Sequence, residues 1–145
     1  MEWIFSVEEL PAVATSFWAT FTGSHVFTLE GQMGAGKTTL VNALCTARGV
    51  LDTTASPTYA IINQYHFEDT AGQEQLIYHL DLYRLRDEEE AIAAGVEDCL
   101  YEGATCFVEW PDIVLRILPP GSVRLQLEVL PDQKRRLTAG VPSDK

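Results

Sequence analysis

Lysine is the scarcest charged side chain in this 145-residue sequence, occurring only as Lys37, Lys134 and Lys145. Lysine and arginine together number 10 against 21 acidic residues, a formal net charge of −11. A broad nucleic-acid face needs cations to displace phosphate counterions. DNA binding is therefore excluded, and binding to an anionic membrane surface with it. No apolar run approaches the ~20 residues that span a bilayer, and the opening Met1-Glu2-Trp3-Ile4-Phe5-Ser6 lacks the basic start of a secretory signal. Cys45, Cys99 and Cys106 are odd in number and show no CxxC spacing, which excludes a disulfide framework or a zinc knuckle. No internal repeat, low-complexity tract or linker divides the chain. These absences predict a soluble, cytoplasmic protein whose residues 1–145 form one domain, with 46% hydrophobic residues available for its core.

The apolar pattern alternates between the two regular periods. Val7, Leu10, Ala14, Phe17, Trp18 and Phe21 mark a helix within residues 7–22, ended by Gly23. Its start is open, because Ser6 and Glu9 have capping-box spacing while Pro11 suits a first helical turn. A buried strand over residues 25–30 follows, then a helix from Lys37 to about Arg48 with Gly49 as its stop. Strands are predicted over residues 59–67, 75–81 and 105–109. An acidic stretch, residues 87–102, opens on Asp87 and Glu90 as a short helix closed by Gly95. Val123, Leu125, Leu127 and Val129 alternate with polar residues as in a half-exposed strand, and a last strand is predicted over residues 135–139. Strands alternating with helices predict an α/β fold, a sheet of mainly parallel central strands flanked by helices, with antiparallel edge strands.

Gly31-Gln32-Met33-Gly34-Ala35-Gly36-Lys37-Thr38 satisfies every fixed position of the P-loop pattern, between an apolar strand and an amphipathic helix. Glycines admit the turns that aim successive N–H groups at a triphosphate, and the following helix adds its positive end. Lys37 would supply a full charge to the β- and γ-phosphates, and the Thr38 hydroxyl would ligate Mg²⁺.

A phosphate loop alone does not name a reaction, so acids are needed at the carboxyl ends of neighbouring strands. Leu76-Ile77-Tyr78-His79-Leu80-Asp81 and Thr105-Cys106-Phe107-Val108-Glu109 are apolar strands ending in a carboxylate. Asp81 and Glu109 would hold Mg²⁺, directly or through water, or orient an attacking water. The DxxG-like segment Asp69-Thr70-Ala71-Gly72-Gln73 invites a GTPase reading. None of the three lysines lies in the N/T-K-x-D motif that selects guanine there, so the segment is read as a hairpin turn.

The order Gly34-Ala35-Gly36-Lys37-Thr38-Thr39, Ser56-Pro57-Thr58-Tyr59, His79-Leu80-Asp81-Leu82-Tyr83-Arg84 and Glu109-Trp110-Pro111 closely resembles the TsaE (YjeE) family of bacterial ATPases. The resemblance runs from about residue 31 to residue 111. It implies a Mg²⁺-dependent ATPase in the synthesis of threonylcarbamoyladenosine on tRNA. Its partners would be TsaB- and TsaD-like proteins, with the tRNA met only indirectly. It also implies roles by position. Met33 to Thr39 would wrap the phosphates, Thr58 would sense the γ-phosphate, and Asp81 would act near metal and water. Glu109 would be the second metal-linked acid, and Trp110 would stand near the nucleotide. His79 is read as structural, holding the sheet edge. Arg84 either pairs with an acid or approaches phosphate, and Lys134-Arg135-Arg136 is assigned to an exposed strand.

Two departures stand out. The family usually has an acid and then Leu after the first loop glycine, where this chain has Gln32 and Met33. Near the start of the first helix the family often has a base-proximal Thr, where Leu10 stands here, so base contacts stay unassigned. Residues 87–102 carry seven acids and no Lys or Arg, which suits a solvated face; the resemblance also admits a partner surface. Two other functions fit the motifs: a small-molecule P-loop kinase, and a nucleotide-responsive binding switch without essential turnover.

Overall fold

In the computed structural model, residues 1–32, 34–51 and 61–140 are described. A short strand, β1 (Glu2–Phe5), opens the chain, followed by a 3₁₀ turn over Val7–Glu9 and helix α1 (Leu10–Thr20). Then come β2 (Val26–Glu30), α2 (Lys37–Arg48), β3 (Ile62–Glu68) and β4 (Glu74–Asp81). Helices α3 (Glu88–Ala93) and α4 (Val96–Tyr101) lead to β5 (Thr105–Glu109). A second 3₁₀ segment over Pro111–Ile117 precedes β6 (Val123–Val129) and β7 (Arg135–Gly140).

The strands form one seven-stranded sheet in the order β1-β7-β6-β2-β5-β4-β3. Its four central strands, β6, β2, β5 and β4, run parallel, while β7, β1 and β3 add antiparallel edges. This is the α/β architecture that the sequence predicts. The middle strands Val-Phe-Thr-Leu-Glu and Thr-Cys-Phe-Val-Glu are apolar on both faces because helices cover both. β6 alternates because only one of its faces meets the core.

One core cluster lies between the sheet and α1 and α2, around Phe17, Phe27, Leu40, Leu44 and Phe107. The other lies under α3, α4 and the second 3₁₀ segment, around Tyr78, Leu80, Val96, Leu100 and Val108. Helix α1 is pinned to α2 by Trp18, whose Nε1 donates to the Leu44 carbonyl at 2.9 Å while its ring lies 4.0 Å from the Arg48 guanidinium.

Several boundaries differ from the sequence reading, each for a local reason. The first helix is divided: Glu9 accepts from the Ser6 amide at 2.8 Å and closes the 3₁₀ turn, and Pro11 then sits in the first turn of α1. Both start signals are thus in use. The stretch 87–102 is two helices, because Gly95 adopts φ +94 between them. β1 has only four residues, too few for a periodicity to register. The expected strand over 59–67 is described only from Ile62, and residues 59 and 60 lie outside the described residues.

Candidate nucleotide site

Parallel pairing brings the carboxyl ends of β2, β4 and β5 to one edge of the sheet, and the glycine-rich loop springs from the first of them. Gly31 is required by close approach: a Cβ there would lie 2.6 Å from the Leu127 carbonyl oxygen of β6. Gly36 caps α2 in the left-handed region at φ +102 and offers no side-chain acceptor. The first-turn N–H groups of α2 therefore point out of the helix toward the loop, where an anion is favoured.

Lys37, the first residue of α2, is 7% exposed. Its Nζ donates to the Gly31 carbonyl at 2.8 Å and stands 3.8 Å from the centroid of the Trp110 ring. Burial lowers the lysine pKa from its ordinary value, and the nearby Glu109 and Asp81 oppose that shift. The ammonium is thus held by one carbonyl, one aromatic face and the field of two acids, contacts that an anionic ligand can replace.

The two acids are neighbours by register. Asp81 pairs with Glu109 across β4 and β5, and Glu109 pairs with Leu29 on β2. Glu109 is 5% exposed, and its Oε2 lies 2.5 Å from Nε2 of the fully buried His79. Asp81 is half-buried and its Oδ1 accepts from the Tyr83 amide at 3.2 Å. Trp110 follows β5 at φ +58, a left-handed conformation that is strained for a bulky residue. Tyr83 flanks its ring at a centroid distance of 5.1 Å.

Of the residues singled out from sequence, Gly34, Ala35, Gly36, Lys37, Thr38 and Thr39 form the loop and the first turn of α2. Asp81, Glu109 and Trp110 gather around Lys37. Met33 and the segment Ser56-Pro57-Thr58 lie outside the described residues. Arg135 departs from its exposed-strand reading, since it is half-buried and its Nε donates to the Ala35 carbonyl of the loop at 3.1 Å. Strand alternation carries the missed signal: Arg135 shares a face with the buried Leu137 and Ala139. Beside Arg135 and Thr39, an apolar recess of about 110 Å³ is walled by Phe5, Val7, Leu10 and Leu127.

Among the described residues no group of three or more His, Cys, Asp or Glu side chains forms a metal cage. The donors present are the Thr38 hydroxyl and two carboxylates, all hard oxygens. They suit Mg²⁺, which binds through one or two carboxylates, waters and substrate phosphates rather than an all-protein cage.

A glycine-bent loop between a buried parallel strand and a helix, with strand-end acids beside its lysine, defines a P-loop NTPase fold. The family described as "Threonylcarbamoyl adenosine biosynthesis protein TsaE" matches residues 4–137, and the chain belongs to this family. Among curated relatives it is 33% identical over 129 residues to the tRNA threonylcarbamoyladenosine biosynthesis protein TsaE of Treponema pallidum, covering 86% of this chain and 91% of that one. It is 31% identical over 131 residues to the Bacillus subtilis protein of the same name, covering 90% and 78%. The crystal structure of Bacillus subtilis YdiB superposes with a TM-score of 0.69 at 26% identity, covering 98% of this chain and 86% of that one.

Proposed function

We propose that this chain binds ATP with Mg²⁺ at the glycine-rich loop and hydrolyses it as a component of tRNA threonylcarbamoyladenosine synthesis, acting on a TsaB–TsaD-type complex. The observation that carries the reading is the convergence of Lys37, Asp81 and Glu109 on the loop, together with family membership. The amides of the loop and of the first turn of α2 hold the phosphates. Lys37 leaves the Gly31 carbonyl and the Trp110 ring to meet the terminal phosphates. Thr38 and the two acids would hold the metal, which supplies charge neutralisation at the β- and γ-phosphates. Asp81 and Glu109 also lie where an attacking water can be oriented. The recess beside Thr39 and Arg135 receives the nucleoside end.

Hydrolysis by the chain alone is slow in this reading. Arg135 reaches the loop, but its Nε and Nη1 donate to the Ala35 and Gln133 carbonyls. A missing transition-state cation is worth about 10³ to 10⁵ in rate, which a partner can supply. No helix of the described residues is long and apolar enough to cross a membrane.

Calorimetric titration with ATP and Mg²⁺ tests the site. Lys37→Ala is expected to weaken binding by at least ~1.5 kcal/mol, about tenfold in Kd; an unchanged affinity would overturn the assignment. Reconstituting the modification reaction with and without the chain tests the pathway. A second reading, a nucleotide-driven docking switch, draws support from the Lys37–Trp110 contact, which binding must exchange. It wins if Glu109→Gln abolishes hydrolysis while modification proceeds at full rate.

A further inference from the structure

His79 does not hold the sheet edge as the sequence reading has it: it lies on β4, inside the sheet between β3 and β5. Among the large, fully buried side chains of the described residues it is the one polar member, at 0% exposed. Its backbone needs no help from the ring, because it lies in the β3–β4–β5 ladder and its carbonyl also accepts from Asn63 Nδ2. Register explains where the ring goes. Asp81 and Glu109 are partners across β4 and β5, and His79 and Phe107 are partners one step earlier. All four side chains therefore share the face that packs toward α2, and His79 is the diagonal neighbour of Glu109.

That diagonal is bridged by the 2.5 Å contact between His79 Nε2 and Glu109 Oε2. In the tautomer that carries its proton on Nε2, the ring donates to this carboxylate oxygen. Nδ1 is buried and has no partner among the described residues. The contact with Glu109 is thus the polar interaction that the ring makes. Glu109 in turn makes one side-chain hydrogen bond among the described residues, and it is this one. A buried carboxylate without it would rotate freely about its last torsion, which is broad for sp³–sp² bonds.

We propose that His79 is a positioning residue: by engaging Oε2 it fixes the plane of the Glu109 carboxylate and leaves Oε1 presented to the phosphate loop beside Lys37. The His-x-Asp spacing then serves two carboxylates at once. One residue of the pair is Asp81 itself, and the other orients Glu109 on the neighbouring strand. The assignment rests on the nucleotide-hydrolysis reading above for its consequence, though not for the hydrogen bond itself. Outer partners that orient a metal-linked carboxylate typically change activity or metal affinity by about 10- to 100-fold when removed.

Two variants separate positioning from packing. His79→Gln keeps an amide donor at the reach of Nε2, whereas the shorter His79→Asn places its donor near Nδ1 and falls short of Glu109. Both are polar and both lose the ring, so a purely structural role penalises them alike. The expected result is that His79→Asn lowers kcat about tenfold or more with ATP affinity kept within about threefold of wild type, while His79→Gln recovers most of kcat. Equal losses in the two variants that follow their melting temperatures, or no loss in either, overturn the proposal.

A readout independent of turnover uses the nucleotide-free protein. Side-chain ¹⁵N NMR of the His79 ring is expected to show a protonated Nε2 whose slowly exchanging N–H signal shifts in Glu109→Ala. A ring protonated on Nδ1, or a signal indifferent to Glu109→Ala, overturns the proposal even if ATP is hydrolysed. A wild-type chain that neither binds nor hydrolyses ATP but shows the His79–Glu109 signal would instead overturn the functional reading alone.

Discussion

The glycine-rich loop and the Asp69–Gln73 turn use similar residues at opposite edges of one sheet, and they differ in what is left over. In the turn, the Asp69 amide donates to the Gln73 carbonyl and the Gly72 amide to the Asp69 carbonyl, each at 2.9 Å. Asp69 Oδ1 accepts from the Ala71 and Gln73 amides and Oδ2 from Gln75 Nε2, all at 2.9 Å. The carboxylate is consumed by its own loop. The phosphate loop instead ends in a helix start with no side-chain cap, a buried lysine on a backbone carbonyl, and acids supplied by other strands. A DxxG string and a P-loop string are equally legible as letters. What separates a turn from a site is whether the polar groups are satisfied locally or kept available for a ligand.

Glycine substitution tests that contrast most severely. Gly31→Ala drives a Cβ to 2.6 Å from the Leu127 carbonyl oxygen, backbone against backbone, so β2, β6 or the loop must shift. The expected cost is about 3 kcal/mol, the upper part of the range for overpacking, read by denaturant unfolding, with ATP affinity lost as well. Gly72→Ala meets nothing within 4 Å and suffers only its left-handed φ of +81. About 1–2 kcal/mol is expected there, with ATP affinity unchanged. Equal effects at the two glycines would mean that the loop is no more constrained than the turn.

Much of this arrangement is readable in the sequence. β2 and β5 announce themselves because double burial leaves them almost without polar residues. The phosphate loop is legible because its backbone conformation and its charge each demand a residue type. The acidic ends of β4 and β5 could be named, but their adjacency belongs to the register, which is set by hydrogen-bond pairing and not by either strand's own pattern. The His79–Glu109 contact is hidden for the same reason, so that sequence alone assigns His79 to the sheet edge. At Arg135 three consecutive cations suggest an exposed strand, although alternation with Leu137 and Ala139 turns the second of them inward. β1 gives no sequence signal because its four residues fall below any periodicity.

The smallest expected effect lies in the acid limb of stability and concerns the turn alone. Hydrogen bonds from the Gln73 amide, and next from the Gln75 side chain, hold the Asp69 carboxyl below its ordinary value of 3.8. A carboxyl whose pKa is depressed by folding is protonated first in the unfolded chain as pH falls. Its contribution is complete above about pH 4 and is lost as pH drops through the folded value. Asp69→Asn keeps a carbonyl acceptor but does not titrate. Melting temperatures of the two proteins should therefore differ most near neutrality and converge below about pH 4, with ATP affinity the same in both. Parallel curves would show that the turn's amides do not hold the charge. A change in ATP affinity would show that the two edges of the sheet are coupled, and the separation between a closed turn and an open site would then fail.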